Sequence, residues 1–143
     1  MPETRSAPAG LREMQPHCRL VQKPWGHELV WAENDSYVGK MLQIDAGKRL
    51  SLQYHDSKLE SQCLLAGRAL LVVEDAAGAL CALEMEPGKG YTIQPFRRHR
   101  LVAISDATVL EVSTPEIGTT FRVEDDYARP HETEAARRQE GAR

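Results

Sequence analysis

The sequence predicts an all-β barrel or sandwich, on three observations: roughly nine or ten short apolar runs, turn residues between them, and no long helical period mid-chain. The runs fall at residues 29–31, 38–44, 50–54, 63–66, 69–73, 80–83, 91–93, 101–104 and 108–112. Asn34-Asp35-Ser36, Ala46-Gly47, Gly67, Pro87-Gly88 and Ser105-Asp106 supply turn chemistry between them. Leu42 and Ile44, and likewise Val102 and Ile104, alternate with other residues as on strands that turn one face to a core. Gly39, Gly47, Gly67, Gly88 and Gly90 sit at strand ends or corners, where a closed barrel has to bend.

A chain of 143 residues, 41% hydrophobic and 27% charged, fits one soluble globular domain. Its core is expected over 18–129, between a flexible N-terminal arm (1–17) and a flexible charged tail (130–143). Residues 132–138 can turn helical but have no apolar face to bury. The net charge of −3 gives no electrostatic reason to expect a nucleic acid partner. No apolar run approaches the ~20 residues of a membrane helix. The first ten residues hold no signal-like apolar stretch, so a cytoplasmic protein is expected. The three cysteines, Cys18, Cys63 and Cys81, lack CxxC spacing; free thiols are expected, with Cys63 and Cys81 as small buried hydrophobes.

Chemistry concentrates in two stretches. In Gly47-Lys-Arg-Leu-Ser-Leu-Gln53-Tyr-His55-Asp-Ser-Lys-Leu-Glu60, strand parity puts Gln53 and His55 on one face, and Glu60 can join them across a turn. The second, Pro87-Gly88-Lys-Gly90-Tyr-Thr-Ile-Gln-Pro95-Phe-Arg-Arg-His99-Arg100, brings another imidazole. One amide, one carboxylate and two imidazoles make a mixed N/O set suited to one divalent ion: Zn, Mn, Fe, Co or Ni. Taken singly, each residue has a plainer role as a hydrogen-bonded or surface group.

Gly47 to Gly67 resembles the first cupin motif and Gly88 to His99 the second. Further likeness lies in Lys23-Pro-Trp-Gly26, Tyr37-Val-Gly-Lys40, Leu50-Ser-Leu-Gln-Tyr-His55, Glu111-Val-Ser-Thr-Pro-Glu116 and Val123-Glu-Asp-Asp-Tyr127. Together these resemble the cupin domain of type II mannose-6-phosphate isomerases over about Arg19 to Arg129, which implies a double-stranded β-helix, or jelly-roll barrel. The resemblance implies that Gln53, His55, Glu60 and His99 are metal ligands, with Gln53 in place of the first histidine of the usual pair. The chain departs from the family at Asp56, at Ser61-Gln62-Cys63 and at Gln94-Pro95-Phe96, which bear on the pocket walls.

The leading functional expectation is a sugar-phosphate aldose–ketose isomerase with a small-molecule substrate. A metal would polarise the carbonyl, and cations near the mouth would hold a phosphate. Arg100 is the first candidate for a catalytic or phosphate-contacting cation, with a solvent-facing role as its alternative. Lys23 and Lys40 sit in family-like motifs, and Arg49 and Arg98 flank the two ligand segments. For the general base, Glu111 and a hydroxide held by the metal are both chemically adequate, and Glu111 has a solvent-facing role as its alternative. The alternatives are a dioxygenase, a decarboxylase, or a non-catalytic small-molecule binding module. Trp25 and Trp31 are expected in the core or an interface. A homodimer is expected through edge strands, with residues 29–31 and 121–124 as candidates.

Overall fold

The computed structural model describes residues 1, 3–4 and 8–141. Pro2 and residues 5–7 of the expected arm, and 142–143 of the expected tail, lie outside the described residues. The chain runs β1 (Arg19–Lys23), β2 (Gly26–Glu33), β3 (Val38–Ile44), β4 (Leu52–His55), β5 (Glu60–Ala66), β6 (Ala69–Glu74), β7 (Leu80–Glu84), β8 (Gly90–Ile93), β9 (His99–Ala103), β10 (Ala107–Ser113), β11 (Thr120–Glu124) and helix α1 (Glu134–Gly141). Strands order β1-β2-β3-β10-β5-β8 in one antiparallel sheet and β11-β4-β9-β6-β7 in the other. This is the expected jelly roll. No helix among the described residues is long and apolar enough to cross a membrane.

Strand parity builds the barrel interior in two halves. Leu42, Val109 and Leu64 are cross-strand neighbours on β3, β10 and β5, all almost wholly buried, beside Ile44, Leu101 and Trp25. Each such side chain contributes about 2 kcal/mol of burial. Two residues further along β10, Glu111 lies between Lys40 and Gln62, and all three are buried too. One end of the barrel is thus apolar and the other polar, on the same strands and the same face.

Two glycines are required by backbone conformation. Gly67 turns β5 into β6 with φ 80°, and a Cβ there would collide with the Asp106 carbonyl. Gly118, with φ 74°, packs against the Asp56 and Ser57 side chains at the polar end.

Several expectations change. The tail is tied down where it is described: Thr120 and Glu132 exchange both backbone hydrogen bonds at 2.9 Å, and α1 follows. With no apolar face, charge anchors it: Arg137 donates to the Gly118 carbonyl and Glu134 accepts from Gly118 N–H. Cys81 is exposed and Cys63 half-buried, because β7 is a sheet edge and Cys63 points away from the interior. Residues 29–31 belong to β2, which β1 and β3 flank, so they form no edge; β11 is an edge. Trp25 is in the core and Trp31 is exposed.

Candidate metal centre

His55 ends β4, Glu60 opens β5 after a four-residue turn, and His99 opens β9. The pairing of β4 with β9 sets Gln53 opposite His99, so parity carries His55 to the same interior face. His55, Glu60 and His99 are 4%, 1% and 1% exposed. Their ligand atoms all fall within 4.8 Å of one another.

The orientation of these groups is fixed from behind. His99 Nδ1–H donates to the Arg97 carbonyl at 2.9 Å, which leaves the Nε2 lone pair facing the cluster. His55 Nδ1 shares a 2.8 Å hydrogen bond with Thr120 Oγ1. Glu60 Oε1 lies 2.7 Å from His99 Nε2 and 3.4 Å from His55 Nε2. None of these three buried atoms makes a hydrogen bond of acceptable direction. Lone pairs this close repel, so a positive charge belongs among them: a proton on an imidazole, or a metal ion. Donors around an ion bound at ~2 Å are themselves ~3 Å apart, so the cluster fits a first-row divalent ion. Without an ion, burial depresses the His55 pKa; at His99 burial also acts downward, but the Glu60 carboxylate outweighs it and raises the pKa. Gln53 lines the adjoining cavity with His55, and its amide oxygen accepts from Ser51 Oγ at 2.7 Å.

Behind Glu60 stands a charge network that the sequence did not announce. Lys58 Nζ lies 3.2 Å from Glu60 Oε2, 3.4 Å from Glu116 Oε1 and 3.6 Å from Glu111 Oε2. Lys40 pairs with Glu116 and, at 3.3 Å, with Glu28. Burial and then the Glu60 charge push the Glu111 carboxyl up to about 7, and Gln62 Nε2–H donates to it at 3.1 Å. Burial opposes the charge on Lys58, yet Glu111, Glu60 and Glu116 keep its pKa well above the usual lysine value.

These side chains wall an inner cavity of about 50 Å³, room for a few waters at most. An outer cavity of about 420 Å³ shares Glu28, Lys40, Glu116, Glu132 and Arg137 with it. The wall of the inner cavity holds six cationic side chains (Lys23, Lys40, Lys58, Arg122, Arg129, Arg137) and four carboxylates (Glu28, Glu111, Glu116, Glu132).

The mannose-6-phosphate isomerase C-terminal family matches residues 9–130. This chain belongs to that family. No curated protein matches it. Among solved structures, KdgF from Halomonas sp. superposes with a TM-score of 0.59 at 17% identity, over 68% of this chain and 88% of that one. A variant of Bacillus subtilis oxalate decarboxylase gives 0.64 at 15% identity, over 74% of this chain and 30% of the other. Lactobacillus farciminis oxalate decarboxylase in complex with formate gives 0.62 at 19%, over 76% and 34%. This cupin therefore spans about a third of the oxalate decarboxylases it resembles, and at these identities the likeness is one of fold.

Of the substrate-facing residues the sequence suggests, the structure brings Lys23, Lys40 and Glu111 to the cavity wall. Arg100 goes elsewhere. His99 faces inward, so its neighbour on β9 faces out, where Arg100 Nε–H donates to the Leu50 carbonyl at 2.9 Å and Nη1 lies 3.6 Å from Glu124. Arg49 is on that outer side too, bidentate on Asp126 at 2.7 and 2.8 Å. Arg98 clamps the β6–β7 hairpin through Glu74 and the Gly78 carbonyl. None of these three lines either cavity. Sequence reasoning missed Lys58, Glu116, Glu132 and Arg137. Glu116 was within reach, as the last residue of a family-like motif; Lys58, in a polar turn, carried no signal.

Proposed function

We propose that this cupin is a metal-dependent isomerase that interconverts aldose and ketose forms of a small sugar phosphate, of the mannose-6-phosphate kind. The observation that carries the proposal is Glu111: a buried carboxyl on the cavity wall beside the metal cluster, taking a hydrogen bond from Gln62 Nε2–H at 3.1 Å and facing Lys58. Moving a proton between C1 and C2 needs a base inside the site; burial raises the Glu111 pKa, to about 7 in the metal-free protein, and a cation that offsets the Glu60 charge would leave it ionised and able to take up the proton. His55, Glu60 and His99 would hold the metal, and Gln53 would add its amide by turning from Ser51. The bound ion would supply Lewis acidity to the sugar carbonyl. The excess of cations over carboxylates on the wall suits a phosphate, with Lys23 and Lys40 as binding groups.

A second reading, a metal enzyme acting on a small carboxylate, draws on the oxalate decarboxylases that share the fold. The same cations suit a carboxylate as well as a phosphate. The test is turnover of mannose 6-phosphate in D2O by protein loaded in turn with Zn, Mn, Co, Ni and Fe under nitrogen, followed by NMR. Ketose phosphate with deuterium at the transferred position is expected. Absence of both turnover and exchange with every metal would sink the isomerase reading, and release of carbon dioxide from oxalate would install the second.

A further inference from the structure

The cavity beside the metal cluster is too small for the ligand proposed for it. Small-molecule sites commonly measure about 300–1,000 Å³. The inner cavity, at about 50 Å³, cannot take a sugar phosphate as it stands, whereas the outer one, at about 420 Å³, can. Six residues line both and so mark the neck between them: Glu28 and Lys40 from β2 and β3, Glu116 and Ile117 from the loop before β11, and Glu132 and Arg137 from the chain after it. Ion pairs close the neck. Lys40 holds Glu28 and Glu116, and Arg137 lies 3.8 Å from Glu132. A ligand that reaches the metal centre from the outer cavity has to part these groups.

The sides of the neck differ in how firmly they are held. β2 lies between β1 and β3, and β3 between β2 and β10, so ladders fix both on either edge. Residues 131–141 follow the stretch that matches the family, which ends at residue 130, and none of their described residues belongs to the apolar core. No side chain from His131 to Gln139 is buried. The segment is fastened mainly by polar contacts. Among them are the Thr120–Glu132 backbone pair, the Gly118 N–H given to Glu134, the Arg122 N–H given to His131 Nδ1 at 3.0 Å, and Arg137 donating to the Gly118 carbonyl. An element with so few buried apolar contacts opens locally at far lower cost than the sheets around it.

We infer that residues 131–141 are a strap over the metal centre, which opens to admit an anionic ligand through the neck and closes on it, with Arg137 as the residue that meets the anion. Arg137 faces both cavities. Its guanidinium anchors on the Gly118 carbonyl and reaches the Glu132 carbonyl at 3.5 Å. A planar fork of five N–H donors can do this and still take an oxyanion. Lys40 lines the same neck and adds a second positive charge. An anion held there binds the closed strap better than the open one, and closure follows from that difference in affinity. Phosphate and carboxylate share this chemistry, so the inference rests on the metal centre and an anionic substrate, not on the isomerisation itself.

Hydrogen exchange of the full chain in the presence of zinc, read by mass spectrometry, tests the strap without turnover. The amides of Thr120 and Glu132 are expected to exchange at least about 100-fold faster than those of β3 and β10. Saturating mannose 6-phosphate or oxalate should slow them, and uncharged mannose should not. Arg137→Met is expected to speed the ligand-free exchange on the order of 10-fold, as loss of a charged hydrogen bond predicts, and to abolish the slowing. Arg137→Lys, which keeps the charge, should restore part of it. Strap amides as protected as those of the barrel overturn the inference, and so does slowing that persists in Arg137→Met. Exchange that both anions leave unchanged overturns it too, even where mannose 6-phosphate turns over; slowing without turnover upholds the strap and counts against the isomerase reading instead. If Arg137→Met fails to fold, the exchange of the wild type with and without the anions still decides.

Discussion

Replacing Lys58 by methionine removes a buried cation but keeps an unbranched stem of similar reach. Lys58 is 8% exposed, and its ammonium lies 3.2 Å from Glu60, with Glu111 and Glu116 also within 3.6 Å. Without it, several carboxylates face one another in a medium that solvates them poorly. Breaking a buried pair from one side costs about 3–5 kcal/mol, because the stranded charge has nowhere to go. For a domain of this size that is a fall of about 10–20 °C in Tm. The assay is a thermal melt of metal-free Lys58→Met against wild type at neutral pH, repeated under acid and with saturating zinc. The deficit should shrink in acid, where the carboxylates protonate, and shrink with zinc, whose charge at His55, Glu60 and His99 takes over part of the lysine's role. A loss below about 1 kcal/mol, or a large loss indifferent to both pH and zinc, would show that packing rather than charge governs Lys58.

Two further outcomes follow from the same site. Protein purified without tag or chelator should carry about one divalent ion per chain by elemental analysis, and His55→Ala with His99→Ala should carry none while keeping its β-sheet spectrum; an undiminished metal content would place the ion elsewhere. Glu111 predicts a pH limb. Burial and the Glu60 charge raise its pKa to about 7 from the usual 4.5, so its stabilising contribution is complete below pH 4.5 and is lost as pH rises through about 7. That limb is worth about 3 kcal/mol. Unfolding free energies from urea titrations of metal-free wild type and Glu111→Gln, taken at pH 4 and pH 8, should differ in their pH dependence by about that amount, and parallel profiles would refute the assignment.

Strand parity made much of the fold legible. Alternation at Leu42 and Ile44 calls for a strand facing a core, and 38–44 became β3 residue for residue. The same pattern at Val102 and Ile104 points to the wrong face: Leu101 and Ala103 are the buried apolar residues of β9, because parity with inward-facing His99 sets the core side, and Ile104 lies beyond the strand at 42% exposure. β1 is harder to see, because Arg19 and Lys23 give it charged ends, and only its register with β2 makes it a strand. The tail misleads for a physical reason. It has no apolar stripe, and its docking rests on the backbone of Thr120 and Gly118, reached across more than ten residues. In the site, parity reads Gln53 with His55 correctly, and the same rule excludes Arg100 from the face of His99. Lys58 could not be read this way, since its burial depends on Glu111 and Glu116, more than fifty positions away.

Glu60 ties the metal cluster to Glu111. Its Oε1 lies 2.7 Å from His99 Nε2, and Lys58 bridges its Oε2 to Glu111 and Glu116. In the metal-free protein the Glu60 charge contributes to raising the pKa of both His99, inside the cluster, and Glu111, beside it. A divalent cation at His55, Glu60 and His99 would free His99 from its proton, offset the Glu60 charge and lower the cost of ionising Glu111. Metal binding and the readiness of Glu111 to act as a base are then two consequences of one buried carboxylate, Glu60, set at the polar end of the barrel where Lys40, Glu111 and Gln62 align across three strands.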